Sequence, residues 1–172
     1  LHEQMAHQRE FIYKIKEENE RFLAENGRRR LANTETYGCQ QNVSDGEKLK
    51  GIMESMGYAV TEDWTEADFV LFNTCAVREH AEDRVFGNVG ALKNIKRRHP
   101  QILIALCGCM MEQKSVSDRI RKSYPFVNLV FGTHSISRFP ELFYNVLVNS
   151  RRVFDTCEDN TIYEDVPTLR DK

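Results

Sequence analysis

Asp68-Phe69-Val70-Leu71-Phe72-Asn73, running on into Thr74-Cys75, is the stretch on which the fold turns. Its apolar run is continuous. A strand with one face in water alternates apolar and polar residues, whereas a parallel strand covered on both faces does not need to. Residues 68–73 are therefore read as a central strand of a parallel sheet. Upstream, Tyr58-Ala59-Val60-Thr61 is a short strand, and residues 44–56 before it are helical. Ser44-Asp45-Gly46-Glu47 has the capping-box form, which puts the helix N-terminus at Ser44, and Gly57 suits the C-cap. Leu31 to Tyr37 form the first strand. Downstream, a helix over 77–98 stops before Pro100, and residues 102–106 make a fourth strand. A helix over 111–123 leads to a fifth strand, 128–131, ended by Gly132. The last helix covers 136–149, and it tolerates Pro140 only in its first turn.

This strand–helix alternation over residues 31–150 defines an α/β class. The expected architecture is a Rossmann or flavodoxin-like open parallel five-stranded sheet, order 2-1-3-4-5, with right-handed crossovers and helices on both faces. Residues 1–30 form an N-terminal helical extension. Its charged helix, from about Gln8 to Asn26, carries a thin apolar seam of Phe11, Ile12, Ile15, Phe22 and Leu23, enough to dock one stripe. Arg28-Arg29-Arg30 reads as a solvated basic knot. Residues 151–172 are polar without clear periodicity, and read as a linker toward a further domain or an edge extension of the sheet.

The chain has 172 residues, of which 29% are charged and 41% hydrophobic, the composition of an ordinary globular domain. A net charge of −2 provides no general field for nucleic acid, so an RNA contact must be local or lie outside this chain. No apolar run approaches the roughly 18 residues of a membrane span, so no membrane partner is expected. The chain opens Leu1-His2-Glu3, with neither an initiator Met nor a signal-peptide core, and reads as a piece of a longer protein. Five cysteines, an odd number in a charged α/β chain, fit a reducing cytoplasm better than a disulfide framework.

Three of those cysteines share one position in the pattern. Cys39 in Tyr37-Gly38-Cys39-Gln40-Gln41-Asn42, Cys75 in Asn73-Thr74-Cys75-Ala76-Val77-Arg78-Glu79, and Cys109 in Cys107-Gly108-Cys109-Met110 each sit where a strand ends and a helix begins. In the expected order, strands 1, 3 and 4 are neighbours, so their carboxyl ends span roughly 10 Å. That rim is where open α/β sheets bind ligands. Helix N-termini there favour thiolate, and thiolates suit zinc and iron–sulfur clusters. Spacing alone leaves open that these are small buried hydrophobes. His80, His99 and His134 are candidate fourth zinc ligands, but none falls at a matching strand end. Cys107, ending the run 102–106, reads as core, and Cys157 as an incidental thiol.

The same three stretches carry a family resemblance. Tyr37-Gly38-Cys39-Gln40-Gln41-Asn42 with Ser44-Asp45, then Asn73 to Glu79 with Ala81-Glu82, then Gly108-Cys109-Met110, resemble the successive motifs of the radical-S-adenosylmethionine methylthiotransferases. The likeness covers about Thr36 to Val148. It implies a Rossmann-like N-terminal domain in which Cys39, Cys75 and Cys109 hold an auxiliary [4Fe–4S] cluster. Within the family the motifs most resemble the bacterial branch acting on isopentenyladenosine of tRNA, next to the anticodon. The branches acting on a ribosomal-protein aspartate or on threonylcarbamoyladenosine remain alternatives, as does a non-enzymatic zinc-binding α/β module. The resemblance also implies a second [4Fe–4S] cluster, S-adenosylmethionine, an electron donor and tRNA as partners of the full enzyme. The Cys-x-x-x-Cys-x-x-Cys loop that would hold the second cluster does not occur in this sequence. Asp165-Val166-Pro167-Thr168-Leu169-Arg170 resembles the segment before the domain that carries it. The implied role of this chain is sulfur supply without catalytic residues of its own. Gln40, Gln41, Asn42 and Asn73 are placed near the rim, as partners of a cluster or substrate or as capping and turn residues.

Overall fold

The structure, a computed structural model, describes residues 2–38, 40–75, 81–156 and 161–165. The elements are α1 (His2–Asn26), β1 (Leu31–Thr36), α2 (Gln40–Ser55), β2 (Ala59–Val60), β3 (Phe69–Thr74), α3 (Ala81–Arg98) and β4 (Leu103–Gly108). A 3-10 turn (Cys109–Glu112), α4 (Lys114–Ser123), β5 (Leu129–Phe131), a second 3-10 turn (Thr133–Arg138), α5 (Phe139–Leu147), β6 (Arg151–Asp155) and β7 (Ile162–Asp165) follow.

The sheet runs β2-β1-β3-β4-β5-β6-β7. Its first five strands keep the expected order, and every pair from β2 to β6 is parallel. The expectation of five strands is corrected to seven. β6 pairs parallel with β5, Leu129 opposite Val153, and β7 returns antiparallel, Val153 opposite Tyr163.

β3 explains both faces. Val70 and Phe72 point one way, to Ile104, Leu106 and Val130, under Val85, Val89 and Leu92 of α3 and Val116 and Ile120 of α4. Phe69 and Leu71 point the other way, to Ala105, Leu129 and Phe131, against Leu49 and Met53 of α2, Met56 just after it, and Leu142, Phe143 and Val146 of α5. Each such side chain contributes about 1.5–3 kcal/mol through burial. That contribution is available on both faces only because no residue from Phe69 to Phe72 is polar.

The α1 seam docks on this second face. Ile15 is fully buried there, and Phe11 packs on Tyr144 with ring centroids 5.2 Å apart. Buried Asn19 donates to the Met56 carbonyl at the end of α2 (2.7 Å) and accepts from Arg30 (3.1 Å). The basic knot is not simply solvated, which corrects that reading. Arg28 makes a two-pronged ion pair with Asp68, both bonds at 2.9 Å, and Asp68 also accepts the Leu31 amide (2.8 Å). Arg29 bonds Glu20 and the Gly57 carbonyl, and the Arg30 guanidinium lies 4.2 Å from the centre of the Phe22 ring. The three arginines tie the extension to β1, β3 and α2. Burial alone would raise the Asp68 carboxyl, but Arg28 and the Leu31 amide hold it below the usual range.

Several boundaries move. α2 begins at Gln40, so the capping box at Ser44 is not the helix start. Tertiary contact overrides the local signal: a Cβ on Gly46 would fall 2.6 Å from Thr36 Oγ1, so this turn is pressed against β1. Gly57 does end the helix, with φ +91° and its amide on the Glu54 carbonyl. α3 is described from Ala81, and expected helical residues 77–80 lie outside the described residues. The expected starts at 111 and 136 fall inside 3-10 turns, and the helices proper begin at Lys114 and Phe139. Pro140 sits in the first turn of α5, as it must.

Within an apparently polar tail, buried Arg152 helps seat β6 beside β5. It is 3% exposed and donates to the carbonyls of Val127 (2.8 Å), Arg121 (3.0 Å), Ile120 (3.2 Å) and Tyr124 (3.0 Å). It thereby supplies donors around the C-terminal end of α4, Arg121 included, where helix carbonyls run short of partners. Nearby, Lys96 donates to the Phe126 carbonyl (2.9 Å) and to Asn128 Oδ1 (2.7 Å). Arg152→Met should cost roughly 3–5 kcal/mol in urea unfolding, because the buried carbonyls lose their donor.

Lys96 gives a pH test. Burial, reinforced by the Arg152 charge, lowers it from 10.5 to about 8. Between those values the unfolded chain holds a proton that the folded chain has released. The stability contributed by this group is therefore least below about pH 8 and rises toward about pH 10.5. Measured against Lys96→Met, wild type should gain on the order of 1–3 kcal/mol between about pH 7.5 and about pH 9.5. A flat or falling difference would contradict this account.

Candidate metal centre at the strand ends

The register sets the carboxyl ends of β1, β3 and β4 side by side. Thr36 lies opposite Asn73, and Thr74 opposite Gly108. The Tyr37 amide extends the ladder to the Asn73 carbonyl (2.8 Å). Each strand then turns at a cysteine-bearing segment.

Two glycines let these turns crowd together. Gly108 has φ +103°, and a Cβ there would lie 2.2 Å from the Thr74 carbonyl oxygen. Gly38 has φ +143°, and a Cβ there would lie 2.3 Å from Cys75 Cβ and 3.2 Å from Cys75 Sγ. Thus the residue before Cys109 presses on the residue before Cys75, and the residue before Cys39 presses on Cys75 itself. Cys75 is buried at the end of β3. Cys109 opens the 3-10 turn after β4, is partly exposed, and has its Sγ 3.9 Å from the Thr74 carbonyl. Cys39 lies outside the described residues. Among the described residues, no group of three or more His, Cys, Asp or Glu side chains is arranged to hold a metal ion.

Polar side chains lock the turns. Asn42 Nδ2 donates to the Thr74 carbonyl (2.8 Å), and Asn73 Nδ2 donates back to the Asn42 carbonyl (2.6 Å). Thr74 Oγ1 donates to the Cys107 carbonyl (2.6 Å). Asn42 and Asn73 are buried and join the first turn of α2 to the end of β3, so the structure supports their structural role. Gln40 is exposed at the start of α2, and the Gln41 side chain lies outside the description. Thr74 was not singled out from sequence. Its signal was its place beside Cys75, in a strand otherwise without hydroxyls.

The other thiols and imidazoles sort themselves by surroundings. Cys107 is fully buried, and burial, with the Asp45 carboxylate adding to it, pushes its thiol up and keeps it neutral. It belongs to the core face with Ala105 and Phe131, as expected. His99 lies 3.5 Å from Asp68, at the opposite end of β3. His134 faces Glu112 at 2.7 Å. His80 and Cys157 lie outside the described residues.

The donor chemistry fits a soft metal group. Cys75 and Cys109 follow adjacent strands, and two glycines let the turns that carry them approach where any Cβ would intrude. An open parallel α/β domain with cysteine-bearing turns crowded on one rim is the class that fold and site define. The chain belongs to the uncharacterized protein family UPF0004, whose sequence profile matches residues 32–132, from β1 to the glycine after β5. It is 44% identical over 164 residues to the tRNA-2-methylthio-N(6)-dimethylallyladenosine synthase of Caldicellulosiruptor saccharolyticus, covering 95% of this chain and 35% of that protein. Over 169 residues it is 46% identical to the synthase of the same name from Acetivibrio thermocellus, covering 98% of this chain and 35% of that protein. A Clostridium botulinum synthase of the same name is 50% identical over 137 residues, 79% of this chain and 30% of its own length. These relatives bear out the family resemblance of the motifs. The chain spans about a third of the length of the relatives it matches.

Gly108→Ala should cost at least about 2 kcal/mol, since strain at positive φ adds to a backbone clash. Gly27→Ala is the control: its φ is +70° but nothing lies within 4 Å of its would-be Cβ. It should cost only about 1 kcal/mol. Equal costs in denaturant titrations would show that the close approach at Gly108 carries no load.

Proposed function

We propose that this chain is the N-terminal domain of a tRNA methylthiotransferase, and that Cys39, Cys75 and Cys109 hold its auxiliary [4Fe–4S] cluster. The observation that supports this best is the crowding of the strand-end turns, Gly38 on Cys75 and Gly108 on Thr74. The names of the relatives favour dimethylallyladenosine of tRNA as the substrate nucleoside. When bound, such a cluster would supply the sulfur that ends on C2 of the adenine. The protein's part is positioning. Buried Cys75 keeps water from one side, partly exposed Cys109 faces outward, and the Asn42–Asn73–Thr74 bonds hold the two turns in register. Three thiolates on such a cluster would leave one iron free for an outside ligand.

The radical chemistry belongs to the part of the relatives that this chain does not span. There a second cluster, S-adenosylmethionine, an electron donor and the main tRNA surface would be supplied, in a cytoplasmic enzyme. Among the described residues, no helix is long and apolar enough to cross a membrane.

Anaerobic reconstitution tests the ligand set. Wild type should take up iron and sulfide and absorb broadly near about 400 nm. Cys39→Ala, Cys75→Ala and Cys109→Ala should each lose most of that iron, while Cys107→Ala and Cys157→Ala keep it. Cys107→Ala should cost about 1 kcal/mol as a small packing defect. Full iron in any one of the first three variants would remove that residue from the set, and a colourless zinc-loaded protein would refute the cluster. With its cluster, S-adenosylmethionine and a reductant, the 172-residue chain alone should yield no 2-methylthio nucleoside by mass spectrometry.

A further inference from the structure

β5 lies beside β4, with Cys107 opposite Phe131, so the Cys109 turn and the Thr133 turn leave the rim as neighbours. Glu112, the last residue of the Cys109 turn, crosses to the second turn. Its Oε1 lies 2.7 Å from His134 Nδ1. It crosses directly over Gly132, where a Cβ would fall 1.3 Å from that same oxygen. The His134 ring is held from its other side, with Nε2 3.1 Å from Ser135 Oγ. Ser135 is buried, its amide bonded to the Gly132 carbonyl (3.0 Å) and its hydroxyl 3.5 Å from the Asp155 carbonyl on β6. A carboxylate only accepts, so Nδ1 carries the proton. The chain Glu112–His134–Ser135 thus runs from the cysteine turn to the body of the sheet. Buried Met110 and Met111 anchor the same turn in the core, and the Glu112–His134 contact ties its far end to the turn after β5.

We propose that the Glu112–His134 pair is a brace that fixes the Cys109 turn against β5 and so sets how firmly Cys109 holds its iron. The inference rests on the reading of Cys109 as a cluster ligand. Glu112 and His134 are positioning residues that act through the turn. Outer partners that orient a metal ligand typically change metal affinity by 10–100-fold, and this pair would act three residues along the turn from Cys109.

The test follows iron release to a chelator from the anaerobically reconstituted 172-residue chain, beside thermal melting of the iron-free chain. Glu112→Ala and His134→Ala should each release iron about tenfold faster than wild type. The double variant should be no faster than either single one, because both remove the same contact. His134→Asn, which can present an amide N–H near the Nδ1 position, and Glu112→Gln, which keeps the acceptor, should release iron at close to the wild-type rate. Melting of the iron-free single variants should stay near wild type. Wild-type release rates in the alanine variants would overturn the brace. Melting that falls in step with faster release, or an additive double variant, would reduce the pair to an ordinary fold contact and overturn it equally. A wild-type chain that takes up no iron would remove the cluster reading, and the brace with it. Iron-loaded wild type with unaffected variants removes the brace alone.

Discussion

The rim depends on one close approach, that of the Gly108 backbone to the backbone of Thr74. Parallel strands normally diverge as they leave a sheet, because each must turn into its own helix. Here β3 and β4 stay paired to the last residue of each, Thr74 opposite Gly108, and Thr74 Oγ1 reaches back to the Cys107 carbonyl to hold them there. Every other arrangement at the cysteines inherits its spacing from that contact. Asn42 brings α2 onto the Thr74 carbonyl, and Gly38 brings the end of β1 onto Cys75. The separation of the turns is therefore a backbone property, set by the absence of two side chains.

The sheet supplies the stiffness that such a contact needs. β3 is buried on both faces, and its neighbours are fixed by apolar layers from α3 and α4 on one side and α2 and α5 on the other. α1 adds a third layer over the second face, pinned at both ends: Gln8 bonds Glu141 near its start, and the arginine cluster bonds Asp68 and α2 just beyond its end. Polar anchoring at the amino ends of the strands and glycine-mediated crowding at the carboxyl ends let one sheet be rigid at both poles.

The fold was legible where the signal was chemical monotony. The unbroken run 69–72 gave away a doubly covered parallel strand, and the strand-helix alternation gave the order of five strands. What stayed hidden depended on distant partners. The tail from residue 151 showed no periodicity, and nothing local shows that Arg152 would find four carbonyls around α4 and β5. Arg28 looked solvated because Asp68 is far away in sequence. The capping box at Ser44 was a valid local signal that lost to the packing of Gly46 on β1. At the rim, the cysteines stood out by position, and the two glycines stood beside them. The locking role of Thr74 and the crossing of Glu112 to His134 were not legible, because both join segments that are distant in sequence.

The edges of the sheet also bear on how copies of this chain meet. A sheet with central strands this apolar would be a template for foreign strands if its borders were long and flat. Instead one border is β2, only Ala59–Val60, and the other is β7, Ile162–Asp165, whose short run carries Glu164 paired with Arg121 and Arg152. Among the described residues, both borders are therefore short. The antiparallel β7 thus pairs the backbone edge that β6 would otherwise present.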